Sequence, residues 1–130
     1  MKVSDTTNLE YHNKNITHQD LDDEEIIYLR FLYAKVEIYA RVIESLPASA
    51  ITEHVTPFLC VDYNHAREVC VRIVSKTKYK PAVDILPLIK FDSSQNNTLR
   101  YIEFLLFLYQ FLNILDVIIS EGDDDNKTET

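Results

Sequence analysis

Glycine is nearly missing from this chain, and that absence limits its folds more than any motif does. One glycine, Gly122, occurs in 130 residues. Tight two-residue hairpin turns need backbone with positive φ, which glycine supplies without steric cost. Loops that cradle phosphates need it as well. The chain is therefore steered toward helices, and away from hairpin-rich sheets and nucleotide enzymes. Punctuation falls instead to Pro47, Pro57, Pro81 and Pro87.

Residues 1–19, MKVSDTTNLEYHNKNITHQ, show no apolar period and read as a flexible arm. The pattern changes at DLDDEEIIYLRFLYAKVEIYARVIESLP. Asp20 or Asp22 can cap a helix, and Asp23, Glu24 and Glu25 then meet the positive end of its dipole. Pro47 ends the run, so a helix is expected from about 22 to 45. At 100° per residue, Arg30, Glu37, Arg41 and Glu44 fall in a narrow sector, and most of the remaining circumference is apolar or aromatic. Lys35 is the main exception. Such a helix is either central to a bundle or faces a partner as well as a core.

Downstream, Ser49 is placed to cap a short helix reaching Val55, and Thr56-Pro57 offers another helix start. From Asp62 onward, Tyr63, Ala66, Val69, Cys70 and Ile73 follow helical spacing. The competing reading is a short strand at 69–74, VCVRIV, which is rich in β-branched residues. KTKYKP is a basic loop, Pro81 opens a short helix broken at Pro87, and DSSQNN is a polar loop. Thr98 is a good cap for a last helix running to about Ser120, followed by an acidic tail.

The last helix contains YIEFLLFLYQFLNILDVII, Tyr101 to Ile119, which is long enough to span a bilayer. Its polar residues argue against that. Glu103, Gln110, Asn113, Asp116 and Ser120 fall on one side, while Tyr101, Leu105, Leu108, Leu112, Leu115 and Ile119 lie opposite. A carboxylate at mid-membrane depth costs about 2.5–3.5 kcal/mol. A core-facing wall with a wet stripe is expected, with no membrane span.

The fold expected is therefore all-α, a single compact bundle of about four to five helices with flexible polar termini. The alternative is α+β, with the strand at 69–74. The expected division is an arm at 1–19, a helical domain at 20–120 and an acidic disordered tail at 121–130.

Charge restricts the partners. The net charge is −8. Residues 91–130 carry eight carboxylates against two cations, a net of −6, while residues 76–90 carry four lysines against Asp84, a net of +3. An acidic protein is a poor general binder of nucleic acid. The loop bearing Lys76, Lys78, Lys80 and Tyr79 is the one place where phosphate pairing and stacking would combine.

No catalytic constellation stands out. His54, Cys60, His65 and Cys70 lack the paired spacings of a zinc site. A Cys–His pair drawn from them has no evident orienting group or oxyanion site. Asp123, Asp124 and Asp125 have the composition of a calcium loop but not its ligand spacing. No catalytic, cofactor-binding or metal-ligating residue is assigned, and neither enzyme activity nor a small-molecule substrate is expected. The polar N-terminal segment does not resemble a secretion signal, so an intracellular setting, cytoplasmic or nuclear, is expected with both thiols reduced.

Aromatic content points elsewhere. Eight tyrosines and six phenylalanines are present, several of them on the expected helices. Tyrosine is enriched at interfaces because its ring favours burial and its hydroxyl favours water. The expected role is a non-enzymatic interaction module, a small adaptor or subunit of a larger intracellular complex. Its partner would be another protein or a second copy, docking on Tyr28, Phe31, Tyr39 and Val42. The alternative is a nucleic-acid-associated subunit using Lys76, Lys78 and Lys80.

Overall fold

The computed structural model describes residues 19–91 and 98–129, with side chains of the last helix as far as 122. The arm expected at 1–19 thus lies outside the described residues except for Gln19, whose backbone N–H donates to the Lys76 carbonyl at 2.6 Å. Among the described residues there are five helices: α1 Asp23–Glu44, α2 Ala48–Ile51, α3 Pro57–Ile73, α4 Lys80–Asp84 and α5 Tyr101–Glu129. The fold is all-α. The α+β alternative fails, because residues 69–73 form the last turns of α3. Their β-branched side chains are overridden by the helical spacing that puts Ala66, Cys70 and Val74 into one core.

The start of α1 is secured by a reciprocal cap. The Glu25 N–H donates to Asp22 Oδ1 at 2.8 Å, and the Asp22 N–H donates to Glu25 Oε1 at 2.9 Å. Two of the four donors that a helix start leaves unpaired are thereby satisfied. Pro47 stands at the N-cap of α2, one residue before Ala48, and α2 ends at Ile51 rather than reaching Val55. Pro57 takes the first position of α3, where its missing N–H costs nothing.

α5 begins after a small antiparallel bridge between His54 and Arg100. Val55 donates to the Leu99 carbonyl at 2.9 Å and Tyr101 to the Glu53 carbonyl at 3.0 Å. The Arg100 N–H donates to Glu103 Oε1 at 2.9 Å, so Glu103 caps the helix from within. α5 also passes its expected end near Ser120 and continues to Glu129. Gly122 therefore lies within the helix, where it lets the backbone approach Ile26 of α1. A Cβ at position 122 would stand 2.5 Å from Ile26 Cδ1.

α1 and α5 pack against each other more extensively than any other pair. They run antiparallel, with Glu44 reached by the Tyr109 hydroxyl at one end and Ile26 against Gly122 at the other. The inner face of α1 is Ile26, Leu29, Leu32, Val36, Ala40 and Ile43. The inner face of α5 is Phe104, Leu108, Phe111, Leu115 and Ile118. This corrects the expected wall. Leu108 and Leu115 are buried as expected, but Tyr101, Leu105, Leu112 and Ile119 are only half-buried. The helix is turned so that two phenylalanines, larger than any leucine, fill the centre.

Tyr63 of α3 is the hub of that centre. Its ring meets Phe104 and Phe111 edge-on, with centroids 5.8 and 6.0 Å away, and its hydroxyl donates to the Pro87 carbonyl at 2.7 Å. Edge-to-face pairs suit the ring quadrupoles, and the bonded hydroxyl removes the cost of burying it. Burial pushes the Tyr63 phenol up to about 12, against a smaller opposing effect of the Arg67 charge.

The irregular segment after α4 is clamped by the same helix. The Asn64 amide donates to the Ile89 carbonyl at 2.8 Å and accepts from the Ile89 N–H at 3.0 Å. Arg67 donates through Nε to the Leu86 carbonyl and through Nη2 to the Asp84 carbonyl, both at 2.9 Å. Side chains here supply the partners that a helix or sheet would otherwise give to buried backbone. The one buried polar side chain among the described residues, Thr77, is likewise satisfied, donating to the Val74 carbonyl at 2.8 Å.

Candidate functional site

The core sector of α1 is centred on Leu29, Val36 and Ile43, which recur every seven residues. Directly opposite it, at helical spacing, lie Ile27, Phe31, Ala34 and Ile38, with Val42 at the edge. All five are exposed, Phe31 to 67 % and Ile38 to 60 %. Polar residues border this row. Arg30, Glu37, Arg41 and Glu44 line one side, and Lys35 lines the other. α1 is thus apolar on two opposed faces, of which the described residues cover one.

Three of the four residues expected to dock a partner lie on or beside the outer row: Tyr28, Phe31 and Val42 are all exposed. Tyr39 differs. It is half-buried, and its hydroxyl donates to Asp62 of α3. Lys35 reaches the same carboxylate, Nζ to Oδ1, at 2.9 Å. Burial, and then the bond to Asp62, push the Tyr39 phenol up to about 12. At Asp62, burial works to raise the carboxyl, but the bonds from Tyr39 and Lys35 and the Lys35 charge outweigh it and hold it below its ordinary value. Tyr39 therefore joins α1 to α3 and contributes to the outer row only at its margin.

Two central residues of the row, Ile27 and Ile38, were not singled out from sequence. Their signal was present: 27, 31, 38 and 42 share one face. It becomes readable only after the core sector is known, because the inner residues are equally apolar. On α3, Phe58 is 73 % exposed and precedes Asp62 by one turn, so it stands on the side of α3 that turns toward α1. Val61, Ile85 and Leu88 are also exposed.

The basic loop has a different character. Lys80 pairs with Asp84 at 2.6 Å, and Lys78 approaches Glu121 at 3.6 Å while lying 5.5 Å over the Tyr79 ring. The Tyr79 hydroxyl donates to the same Glu121 carboxylate at 2.6 Å. Lys76 is exposed. Of the arginines nearby, Arg67 holds the 84–89 segment and Arg72 pairs with Glu68 at 3.3 Å. Acidic groups of this chain thus offset much of the charge that a phosphate would meet.

Cys60 and Cys70 are fully buried, and burial pushes their thiols up to about 11 and about 12. Such a thiol is a poor nucleophile at neutral pH. His54 lies at the β-bridge and His65 on the exposed side of α3, so the four candidate zinc ligands do not converge. Among the described residues no three His, Cys, Asp or Glu side chains are placed to hold a metal. Asp123, Asp124 and Asp125 have side chains outside the described set.

α5, over Tyr101–Gly122, is also by length and composition the one helix among the described residues that could cross a membrane. In this fold its apolar inner face packs on α1, and Glu103, Gln110, Asn113 and Asp116 are exposed on its outer face. In comparisons with known protein families, curated proteins and solved structures, nothing matches this chain.

Proposed function

We propose that this protein is a non-enzymatic interaction module, a small helical adaptor or subunit that binds another protein chain through the outer face of α1. The observation that supports this reading is the row Ile27, Phe31, Ala34, Ile38 and Val42, exposed along four turns of one helix. Single exposed apolar residues are ordinary; a contiguous row is characteristic of association surfaces. Tyr28 and Phe31 are the large aromatic groups from which binding hot spots are most often built. Charged residues flank the row, as a polar rim flanks an interface core.

The test is affinity capture of the tagged chain from its source cell, compared with the same chain carrying Phe31→Asp and Ile38→Asp. Loss of specific co-purifying chains from the variant, with its helical circular dichroism unchanged, is the expected outcome. An identical set of captured chains from both proteins would sink the reading.

A further inference from the structure

The outer face of α1 is complementary to itself when one copy is reversed, and we infer from this that the chain forms a homodimer through an antiparallel α1–α1 pair. This rests on the reading of that face as a docking surface and names its occupant.

The row follows the seven-residue repeat of a coiled-coil seam. Glu24, Phe31 and Ile38 occupy one seam position, and Ile27, Ala34 and Arg41 the other. Leu29, Val36 and Ile43, at the position farthest from the seam, are the residues buried in the bundle. The seam therefore points straight away from the core.

Two copies of α1 can meet along this seam in parallel or in antiparallel. In parallel, each seam residue faces its own copy. Glu24 then meets Glu24, Arg41 meets Arg41, and at the flanks Arg30 lies against Lys35. Each of these contacts sets like charges together. In antiparallel, with the two-fold axis midway between Phe31 and Ala34, every one of these conflicts becomes a match. Ile27 faces Ile38, Glu24 faces Arg41, and the bulky Phe31 faces the small Ala34, which leaves room for its ring. At the flanks Arg30 faces Glu37, and Tyr28 faces Lys35, a ring against an ammonium. Each pairing occurs twice by symmetry, as an isologous interface requires. One mismatch remains, Asp23 opposite Glu44, at the exposed ends of the helix where water screens it.

The Arg41–Glu37 pair does not oppose this. Arg41 and Glu37 pair within α1 at 3.2 Å, and both are at least 39 % exposed. An exposed pair of that kind contributes little, so both groups can re-pair across the seam at small cost. Lys35 is held by Asp62 on the flank of α1 that adjoins α3.

The test is sedimentation equilibrium on the full chain and on the reversals Arg30→Glu and Glu37→Arg, with circular dichroism to verify folding. The wild-type chain is expected at twice the monomer mass. Each single reversal sets like charges together at two symmetric contacts and is expected to raise the dissociation constant about tenfold or more. Mixing the two variants restores opposite charges at both contacts, so the mixture is expected to form heterodimers of near wild-type affinity although each variant alone is weak. A general destabilisation could not produce that rescue. A monomeric wild-type chain would overturn the homodimer, as would tighter association of Arg30→Glu, which a parallel pair predicts. Neither result touches the broader docking reading, which fails only if Phe31→Asp with Ile38→Asp leaves the captured chains unchanged.

Discussion

α1 and α5 are the two long helices, and they use their apolar residues in opposite ways. α5 is the more apolar by eye, yet its outer face is interrupted: Ile102, Leu106 and Val117 are separated by Glu103, Gln110, Asn113 and Asp116. α1 carries as many charged residues on a shorter helix, yet its outer row is unbroken from Ile27 to Ile38. How apolar a helix is and where it is apolar are separate quantities. The second decides whether a helix is finished once it has packed into its own bundle. α5 is finished by α1, whereas α1 has a second face left over.

Substitutions on inner and outer faces should separate these roles. The largest loss is expected for Phe111→Ala, which empties the centre around Tyr63 and should cost about 3–5 kcal/mol in chemical denaturation. Leu29→Ala on the inner face of α1 should fall in the same range or slightly below it. If either were neutral, the shared core of the two helices would be wrong. A smaller loss is expected for Asn64→Ala. It leaves the backbone N–H and carbonyl of Ile89 without their side-chain partner, and about 1–3 kcal/mol should be lost. Asp22→Ala removes the reciprocal cap and should cost about 0.5–2 kcal/mol, with fraying confined to the start of α1 in amide exchange.

The two partners of α1 also differ in chemistry, and pH exposes the difference. α5 meets α1 mainly through apolar side chains, while α3 meets it in part through Lys35, Asp62 and Tyr39. Folding raises the Tyr39 phenol from its ordinary 10.0 to about 12. Its contribution is therefore complete below about pH 10 and lost as pH climbs through about 12. Asp62 is shifted downward, so its contribution is present above its ordinary 3.8 and lost as pH falls through its lowered folded value. Urea titrations across pH should show a shallower alkaline decline for Tyr39→Phe and a shallower acid decline for Asp62→Asn. Unchanged profiles would remove this polar contact from the account of how α1 is held.

The smallest effects on monomer stability are expected on the outer faces, where the comparison is most direct. Phe31→Ser in α1 and Leu106→Ser in α5 should each change unfolding free energy by no more than about 0.5 kcal/mol. They should part company in association: Phe31→Ser is expected to abolish self-association, and Leu106→Ser to leave it intact. Equal behaviour of the two would mean that continuity of the row is irrelevant.

Much of the helical framework was legible in the residues. The acidic start of α1, Pro47 after its end and Pro57 at the start of α3 are local signals that act within a few residues, and each stands where it was expected. The polar stripe of α5 was legible too, since charge must reach water. The rotation of its inner face was not, because Tyr101, Leu105, Phe104 and Phe111 are all apolar and only their fit against Tyr63 selects among them. The bond made by Tyr39 was not legible either, for a similar reason. Its ring and hydroxyl suit an interface, and the partner that claims the hydroxyl is Asp62, 23 residues away on another helix. The clamp of Asn64 and Arg67 on residues 84–89 left no trace in periodicity, because it is made by single side chains on irregular backbone.

The sequence by itself determined that the chain is helical, where three of the helices start, and that one long helix is apolar or aromatic around most of its circumference. Those are properties of local backbone preference and of side-chain spacing along one helix. Only the tertiary structure decided which apolar face of α1 the bundle covers, and so which face remains. That choice depends on the volumes of Phe104, Phe111 and Tyr63 and on the reach of Lys35 and Tyr39 to Asp62, contacts between residues far apart in the chain whose geometry no local pattern encodes.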